Sequence, residues 1–289
     1  MVIGRLTGSL GTALAALSGD GGDGPGRMPM PMPMPMPPPP PPDAAPDRAS
    51  AFAARLPSLP PGGRRIYLLR HGQTDWNLEG RVQGGGHDTQ LNARGRDQAG
   101  LVAEELAAVP LDLVASSHLA RAGQTAAAVA ALHPAARRWE SAGFGEMRFG
   151  ELEGRRIHGT SAEVEEARGR FEAIREAMAG DPSVPYPGDG GESTLQVEER
   201  ARTALADMVR DHPDARHLAV VGHGRMNKVL LSSLLYHDAS RFSPIRQGNT
   251  CINVVDFDPD EGRFGTWTEV LLNYVAHTED RGAASGGRS

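Results

Sequence analysis

Ile66-Tyr67-Leu68-Leu69-Arg70-His71-Gly72 is a short apolar run that stops abruptly at arginine, histidine and glycine. Four apolar residues bounded by a polar, glycine-containing loop read as a buried strand. The same grammar returns at His217-Leu218-Ala219-Val220-Val221-Gly222-His223-Gly224. A third run, LDLVASS (111–117), passes through His118 to Arg121. Between these runs the apolar spacing turns helical. Asn92 precedes Ala99, Val102 and Leu106; Ala122, Thr125, Ala126 and Val129 mark a helix over 121–132. Val164, Phe171, Ile174 and Met178 mark a charged helix over 161–179. Ser193 with Gln196 forms a capping box opening a helix over 194–210, and Val229, Leu230, Leu234 and Leu235 mark another after His223. INVVDF (252–257) and TWTEVLL (266–272) are further strand candidates. Strands alternating with helices predict an α/β fold: a three-layer, open, mostly parallel sheet with helices on both faces.

Outward from this core the composition changes. Residues 19–63 hold Gly/Asp clusters, a Met-Pro repeat and the run Pro37 to Pro42. Proline removes amide donors and fixes an extended backbone, so residues 1–63 read as an unfolded, solvated spacer. A plain linker is the preferred reading of this composition, with docking of an SH3- or WW-type domain as the weaker alternative. Residues 1–18 contain one Arg, several Ser and Thr and no acid, which resembles a weak organellar transit segment. The folded domain is expected over 64–277, and 278–289 reads as a flexible tail. Net charge is -6, and the first 63 residues hold four Arg and four Asp, so the acidic excess lies in the domain. That balance argues against a nucleic-acid binder. No apolar stretch is long enough to span a bilayer, so no membrane role is expected. The single cysteine, Cys251, forms no intramolecular disulfide and has no zinc-type spacing, which favours a reducing compartment, the cytoplasm, with an organelle as the alternative.

In an open α/β sheet, ligands bind beyond the carboxyl ends of the strands. His71 and His223 both fall there, and Arg121 opens the helix after the third strand. A lone histidine after a strand is more often structural, and a lone Arg121 more often a surface ion pair. Together with Arg70 they form a cationic pocket for one phosphoryl group, since the arginine fork matches phosphate oxygens and a helix N-terminus favours an anion.

The motifs extend well past these four residues: LLRHGQTDWN (68–77), GRVQG (80–84), LNARGRDQA (91–99), SSHLARAGQTA (116–126), GEMRFGELEG (145–154), PGDGGES (187–193) and VVGHG (220–224). In this order they resemble the histidine phosphatase superfamily, with its phosphoglycerate mutase-like fold, over roughly 64–277. The resemblance implies that His71 is the nucleophile that becomes a phosphohistidine. It implies that Arg70, Arg121 and His223 hold the phosphoryl oxygens and that Glu146 is the proton donor. Asn77 matches a phosphate contact, and Gln83, Gly84 and Gly224 match positions lining the pocket. Glu151 and Glu153 are rivals for the acid. No metal or cofactor is expected, because two arginines and a second histidine answer the phosphoryl charge.

The implied function is a metal-independent phosphomonoesterase acting on a small phosphorylated metabolite. The alternatives are a phosphoglycerate mutase and, in another class, a non-catalytic interaction module. Cofactor-dependent mutases of the family follow the acid with Arg and then Tyr two residues on, where this chain has Met147 and Phe149. The stretch 155–192 is short and, in its helix, more acidic than basic, so few extra cations are expected to retain a bisphosphate. Arg225 leaves two readings: a cation at the pocket mouth, or a solvent-facing residue on the first helical turn, the reading preferred from sequence. Cys251 is expected to be packing.

Overall fold

The computed structural model describes residues 48–259 and 265–278. The transit-like segment, the proline run and the chain beyond residue 278 lie outside these. The strands are β1 (Arg64–Arg70), β2 (Leu113–Ser116), β3 (Arg137–Glu140), β4 (His217–Gly222), β5 (Ile252–Asp258) and β6 (Thr266–Tyr274). They form one sheet in the order β3-β2-β4-β1-β5-β6. β3, β2, β4 and β1 run parallel; β5 and β6 are antiparallel additions at one edge. The helices are α1 (Arg48–Arg55), α2 (Asp75–Leu78), α3 (Ala93–Leu106), α4 (Ala120–Ala131), α5 (Ala162–Gly180), α6 (Thr194–Asp211) and α7 (Gly224–Tyr236).

The three layers follow from period-2 alternation along strands buried on both sides. Ile66, Leu68, Leu218 and Val220 face one core, shared with α6 residues such as Val197 and Leu205 and with Val229 of α7. Tyr67, Leu69, Ala219 and Val221 face the other, shared with Val102 of α3 and Ala126 of α4. The expected sheet is present. Asn92 caps α3 by accepting from the Gly95 amide at 2.8 Å. The capping box of α6 closes both ways, at 2.8 and 3.2 Å.

Two features depart from the sequence reading. The spacer does not reach residue 63: RASAFAAR (48–55) is a helix whose Phe52 is fully buried, with its ring 5.2 Å from that of Tyr274. Residues 57–63 are tied down too, as Arg65 donates to the Pro57 carbonyl at 2.9 Å and Arg216 to that of Pro60 at 2.6 Å. The neighbouring prolines mask a short segment of strong helix formers carrying one large apolar anchor. β3 has a weak apolar signature: Arg137 and Arg138 are exposed, and Trp139 alone packs against the core while backbone pairing with β2 completes the strand. Among the described residues no helix is long and apolar enough to cross a membrane.

Candidate active site

Register sets the site. Arg70 of β1 lies opposite Gly222 of β4, and Ser116 of β2 opposite Val221, so three parallel strands end at one level. His71, His223 and Arg121 therefore converge beyond the carboxyl ends of these adjacent parallel strands, as expected for an open α/β sheet.

The His71 backbone is pinned on both sides. Its amide donates to Gly222 O at 3.1 Å, and its carbonyl accepts from the Thr250 amide at 3.3 Å. Its Nδ1 lies 2.7 Å from the Gly72 carbonyl. A carbonyl only accepts, so Nδ1 carries the proton and Nε2 keeps its lone pair. Gly72 is required by crowding: a Cβ there would lie 2.4 Å from Gly95 O at the start of α3. The Gly72 amide donates to Thr125 Oγ1 at 3.1 Å, and that hydroxyl donates to Arg121 O at 2.9 Å, joining the loop after β1 to α4.

The other histidine is as deep. The His71 and His223 ring centroids are 5.1 Å apart. Burial first, then Arg121 and Arg70, holds the His71 imidazole well below its ordinary range. Burial, then Arg121 and His71, does the same for His223. Both rings are therefore neutral near pH 7.

The cations are held by carbonyls, which leaves donors over. Arg70 donates through Nη1 to Gln247 O at 2.7 Å. Arg121, fully buried, donates to His87 O at 2.9 Å and Gly84 O at 3.2 Å. Burial lowers its pKa to about 10, against the attraction of Glu146 and Asp88. Among the described residues Arg70 Nε, Arg121 Nε, both ring nitrogens of His223 and Gln83 Nε2 are buried without a partner. Buried polar groups are normally satisfied. Here several unsatisfied donors surround one neutral imidazole, and a tetrahedral oxyanion offers the acceptors they lack.

Glu146, the acid that the family resemblance implies, lies against the start of α7. One carboxylate oxygen accepts from the amides of Met147 and Met226, both at 2.9 Å, and the other from that of Arg225 at 3.1 Å. The last two belong to the first turn of α7, whose cap residue His223 offers no side-chain bond. Arg200 braces this loop by donating to Glu146 O at 3.1 Å and to Gly143 and Gly145 O at 2.8 Å, itself paired to Glu192 at 2.9 Å. The rivals are engaged elsewhere. Glu151 pairs with Arg170 at the surface, and Glu153 accepts from His87 Nδ1 at 2.7 Å and the Phe149 amide at 3.0 Å.

Arg70, His71, Asn77, Gln83, Glu146 and Gly224 line one cavity of about 380 Å³. Arg121 and His223 are buried beneath its surface. Asn77 closes a capping box with Thr74 and accepts from Asn249 at 3.3 Å through Oδ1. Gln83 Oε1 accepts from the Thr74 hydroxyl, which leaves Nε2 as a buried donor without a partner. At Gly224 a Cβ would lie 3.4 Å from Arg70 Nε and 3.8 Å from Glu146 Oε2, so α7 begins between cation and acid. Gly84 does not line the cavity. A Cβ there would fall 1.9 Å from Glu153 Oε1, and its carbonyl holds Arg121. Its place in the motif reflects packing under that arginine.

Arg225 does not face solvent. Its guanidinium lies 4.6 Å from the Phe242 ring centroid, 5.6 Å from that of Phe149 and 5.8 Å from that of Phe171, and it lines the cavity together with Lys228. The expectation of few extra cations is corrected with it, because they come from α7 and not only from 155–192. Gln247 and Thr125 carry no chemical signature in the sequence; only the fold brings them to Arg70 and Gly72. Among the described residues no three His, Cys, Asp or Glu side chains gather as a metal site. Cys251 is buried, and burial raises its thiol to about 11.

The chain is similar to known proteins. A probable phosphoglycerate mutase of Salmonella choleraesuis (strain SC-B67) is 29% identical over 215 residues, covering 74% of this chain and 95% of that protein. The structure of a mycobacterial glucosyl-3-phosphoglycerate phosphatase, solved with VO3, is 30% identical at a TM-score of 0.60 and covers 73% of this chain and 100% of that one. A phosphoserine phosphatase from Entamoeba histolytica, in complex with 3-phosphoglyceric acid, is 26% identical at a TM-score of 0.60, covering 74% and 98%. The family model for the histidine phosphatase superfamily (branch 1) matches residues 66–270, most of the chain and all six strands in whole or part, and the chain belongs to that superfamily.

Proposed function

We propose that the protein is a metal-independent phosphomonoesterase that works through a phosphohistidine on a small phosphorylated metabolite. The observation that carries this reading is His71: its Nδ1 is fixed as a donor 2.7 Å from Gly72 O, and its free Nε2 lies among buried donors that lack partners. Nε2 attacks phosphorus in line while Arg70, Arg121 and His223 take up charge on the equatorial oxygens. Glu146 protonates the departing alkoxide, then takes the proton of the water that releases phosphate from His71. Asn77 and Gln83 add donors, and Gly224 keeps the path open. We assign this chemistry to the domain that ends near residue 277. The compartment is proposed as cytoplasmic on the single buried thiol; imaging a fusion of residues 1–18 tests the organelle alternative.

Alkaline quench of turnover with labelled substrate is expected to leave label on His71, and His71→Ala is expected to abolish both label and phosphate release. Retention of more than about a hundredth of activity by His71→Ala overturns covalent catalysis. The mutase reading keeps one observation of its own, the cations Arg225 and Lys228 lining the cavity, and one relative is a probable phosphoglycerate mutase. Incubation of 3-phosphoglycerate with a bisphosphate primer separates the two: free phosphate supports the phosphatase, rapid isomerisation without release the mutase.

A further inference from the structure

The turn into β5, residues 247–251, holds the end of β1 in place. Gln247 O accepts from Arg70 Nη1 at 2.7 Å, and Cys251 O accepts from the Arg70 amide at 3.3 Å. The Thr250 amide and Asn249 Nδ2 both donate to His71 O, each at 3.3 Å. The backbone carries the ring, so the aim of the His71 imidazole depends on this turn.

Thr250 is its awkward member. Its φ is +53°, in the left-handed region where a β-branched side chain is a genuine outlier. Such a conformation persists only where the surroundings hold it. Thr250 is fully buried, and its hydroxyl donates to Asn249 O at 2.8 Å. A hydroxyl has one proton, so toward His277 Nε2, 3.3 Å away, it accepts, and Nε2 is the donor. His277 is itself buried, with its ring stacked 6.0 Å from that of Tyr274. Tyr274 in turn donates to Glu105 of α3 at 2.6 Å and packs against Phe52 of α1. The other end of the turn is gripped from the same side. Asn273 Oδ1 accepts from the Gly248 amide at 2.7 Å, and a Cβ at Gly248 would lie 3.0 Å from Val275. Residues 273–277 all lie past the stretch 66–270 that the family model matches.

We propose that His277 is a positioning residue for the nucleophile. By donating from Nε2 to Thr250 Oγ1 it holds Thr250 in the left-handed conformation, whose amide fixes the His71 carbonyl and with it the direction of His71 Nε2. The inference rests on the phosphohistidine reading and deepens it: the chain after β6, outside the matched stretch, controls the aim of the nucleophile.

The test separates the donor from the packing. His277→Phe keeps a ring against Tyr274 and removes the donor; His277→Gln gives up the ring and keeps a side-chain N–H. With p-nitrophenyl phosphate, at a temperature where urea titration shows each variant folded, His277→Phe is expected to lower kcat about tenfold to a hundredfold with KM little changed, the scale of a misplaced reacting group. His277→Gln is expected to restore most of it. Thr250→Val removes the acceptor without touching His277 and is expected to match His277→Phe, which keeps the test open if the latter does not fold. Thr250→Gly adopts a positive φ without help, so it is expected to lose less than Thr250→Val, and adding His277→Phe to it is expected to cost little more. A purely structural role predicts neither the rescue nor the non-additivity. An unchanged kcat in His277→Phe, an equal cost of His277→Phe with or without Thr250→Gly, or Thr250→Gly falling as far as Thr250→Val overturns the inference. A second readout needs no turnover: in 15N-edited NMR the His71 Nδ1 proton is expected to shift in His277→Phe and return in His277→Gln. If the wild type hydrolyses no phosphate ester, the phosphomonoesterase reading fails, and this resonance alone decides the inference, which falls if the signal stays in place.

Discussion

Acidification is expected to weaken the ligand-free protein through two particular rings. His71 and His223 stay neutral in the folded state, because burial and the adjacent arginines oppose a further positive charge. In the unfolded chain both return to a pKa near 6.5. Below about pH 6.5 the unfolded state therefore binds more protons than the native state, and stability falls as pH falls. The loss opens as pH drops through the unfolded value and stops growing once the native rings themselves protonate. For a ring still neutral at pH 5, the difference between pH 7 and pH 5 is about 2 kcal/mol. Both rings together approach about 4 kcal/mol, a large part of the typical 5–15 kcal/mol of a domain. Urea denaturation in phosphate-free buffer at pH 7, 6 and 5 measures this, with His223→Gln as the comparison. Removing one such ring is expected to reduce the slope between pH 6 and pH 5 by about 1.4 kcal/mol per unit. Carboxylates, and the partly buried His133 and His217, act equally in both proteins and cancel. Inorganic phosphate, whose charge offsets the arginines and pairs with an imidazolium, is expected to flatten the wild-type slope. Equal slopes for wild type and variant would refute the reasoning, since His223 would then titrate as it does in the unfolded chain.

Other perturbations reach different parts of the molecule. Phe52→Ala is expected to cost about 3–5 kcal/mol by denaturant titration, as for other fully buried phenylalanines, and removing residues 1–63 to lower the melting temperature where removing 1–44 does not. Glu146→Gln is expected to slow alkyl phosphates about a hundredfold to ten-thousandfold more than an aryl phosphate, whose leaving group needs no proton; equal losses would move the acid elsewhere. Gly84→Ala drives a methyl into Glu153 and shifts the carbonyl that holds Arg121, so kcat/KM is expected to fall although residue 84 lines no cavity; an unchanged kcat/KM would free Arg121 from dependence on that loop.

The parts of this fold that the sequence announces are those where one residue type does one thing. Apolar runs that end in His71 and His223 can only be strands buried on two faces, and Ser193 with Gln196 can only open a helix. Arg70 and Arg121 are legible as cations beside strand ends, whereas Glu146 is legible only through the motif GEMRFGELEG that carries the family resemblance. What escaped is relational. Gln247 matters because its carbonyl meets Arg70, and Thr125 because its hydroxyl spans Gly72 and Arg121. Neither relation is written in local spacing. Gly84 matches a pocket-lining position in the motif, whereas its constraint is a neighbour's carboxylate. Helical phase alone puts Arg225 toward solvent, because it does not reveal the three phenyl rings that other segments bring to it. α1 was hidden by the composition of the tract before it, an average that one buried phenylalanine does not move.

The proton on His71 Nδ1 is kept in place by a peptide carbonyl, that of the very next residue. No codon specifies that oxygen. An alanine scan therefore passes over the group that selects the reactive nitrogen, and no single replacement deletes it. The only genetic handle is indirect, through Gly72, whose missing side chain lets the loop lie flat against α3 and so points the carbonyl back at the ring. The protonation of the His71 ring is thus set by the backbone path, and it holds only as long as the Gly72 and Gly95 segments can cross this closely.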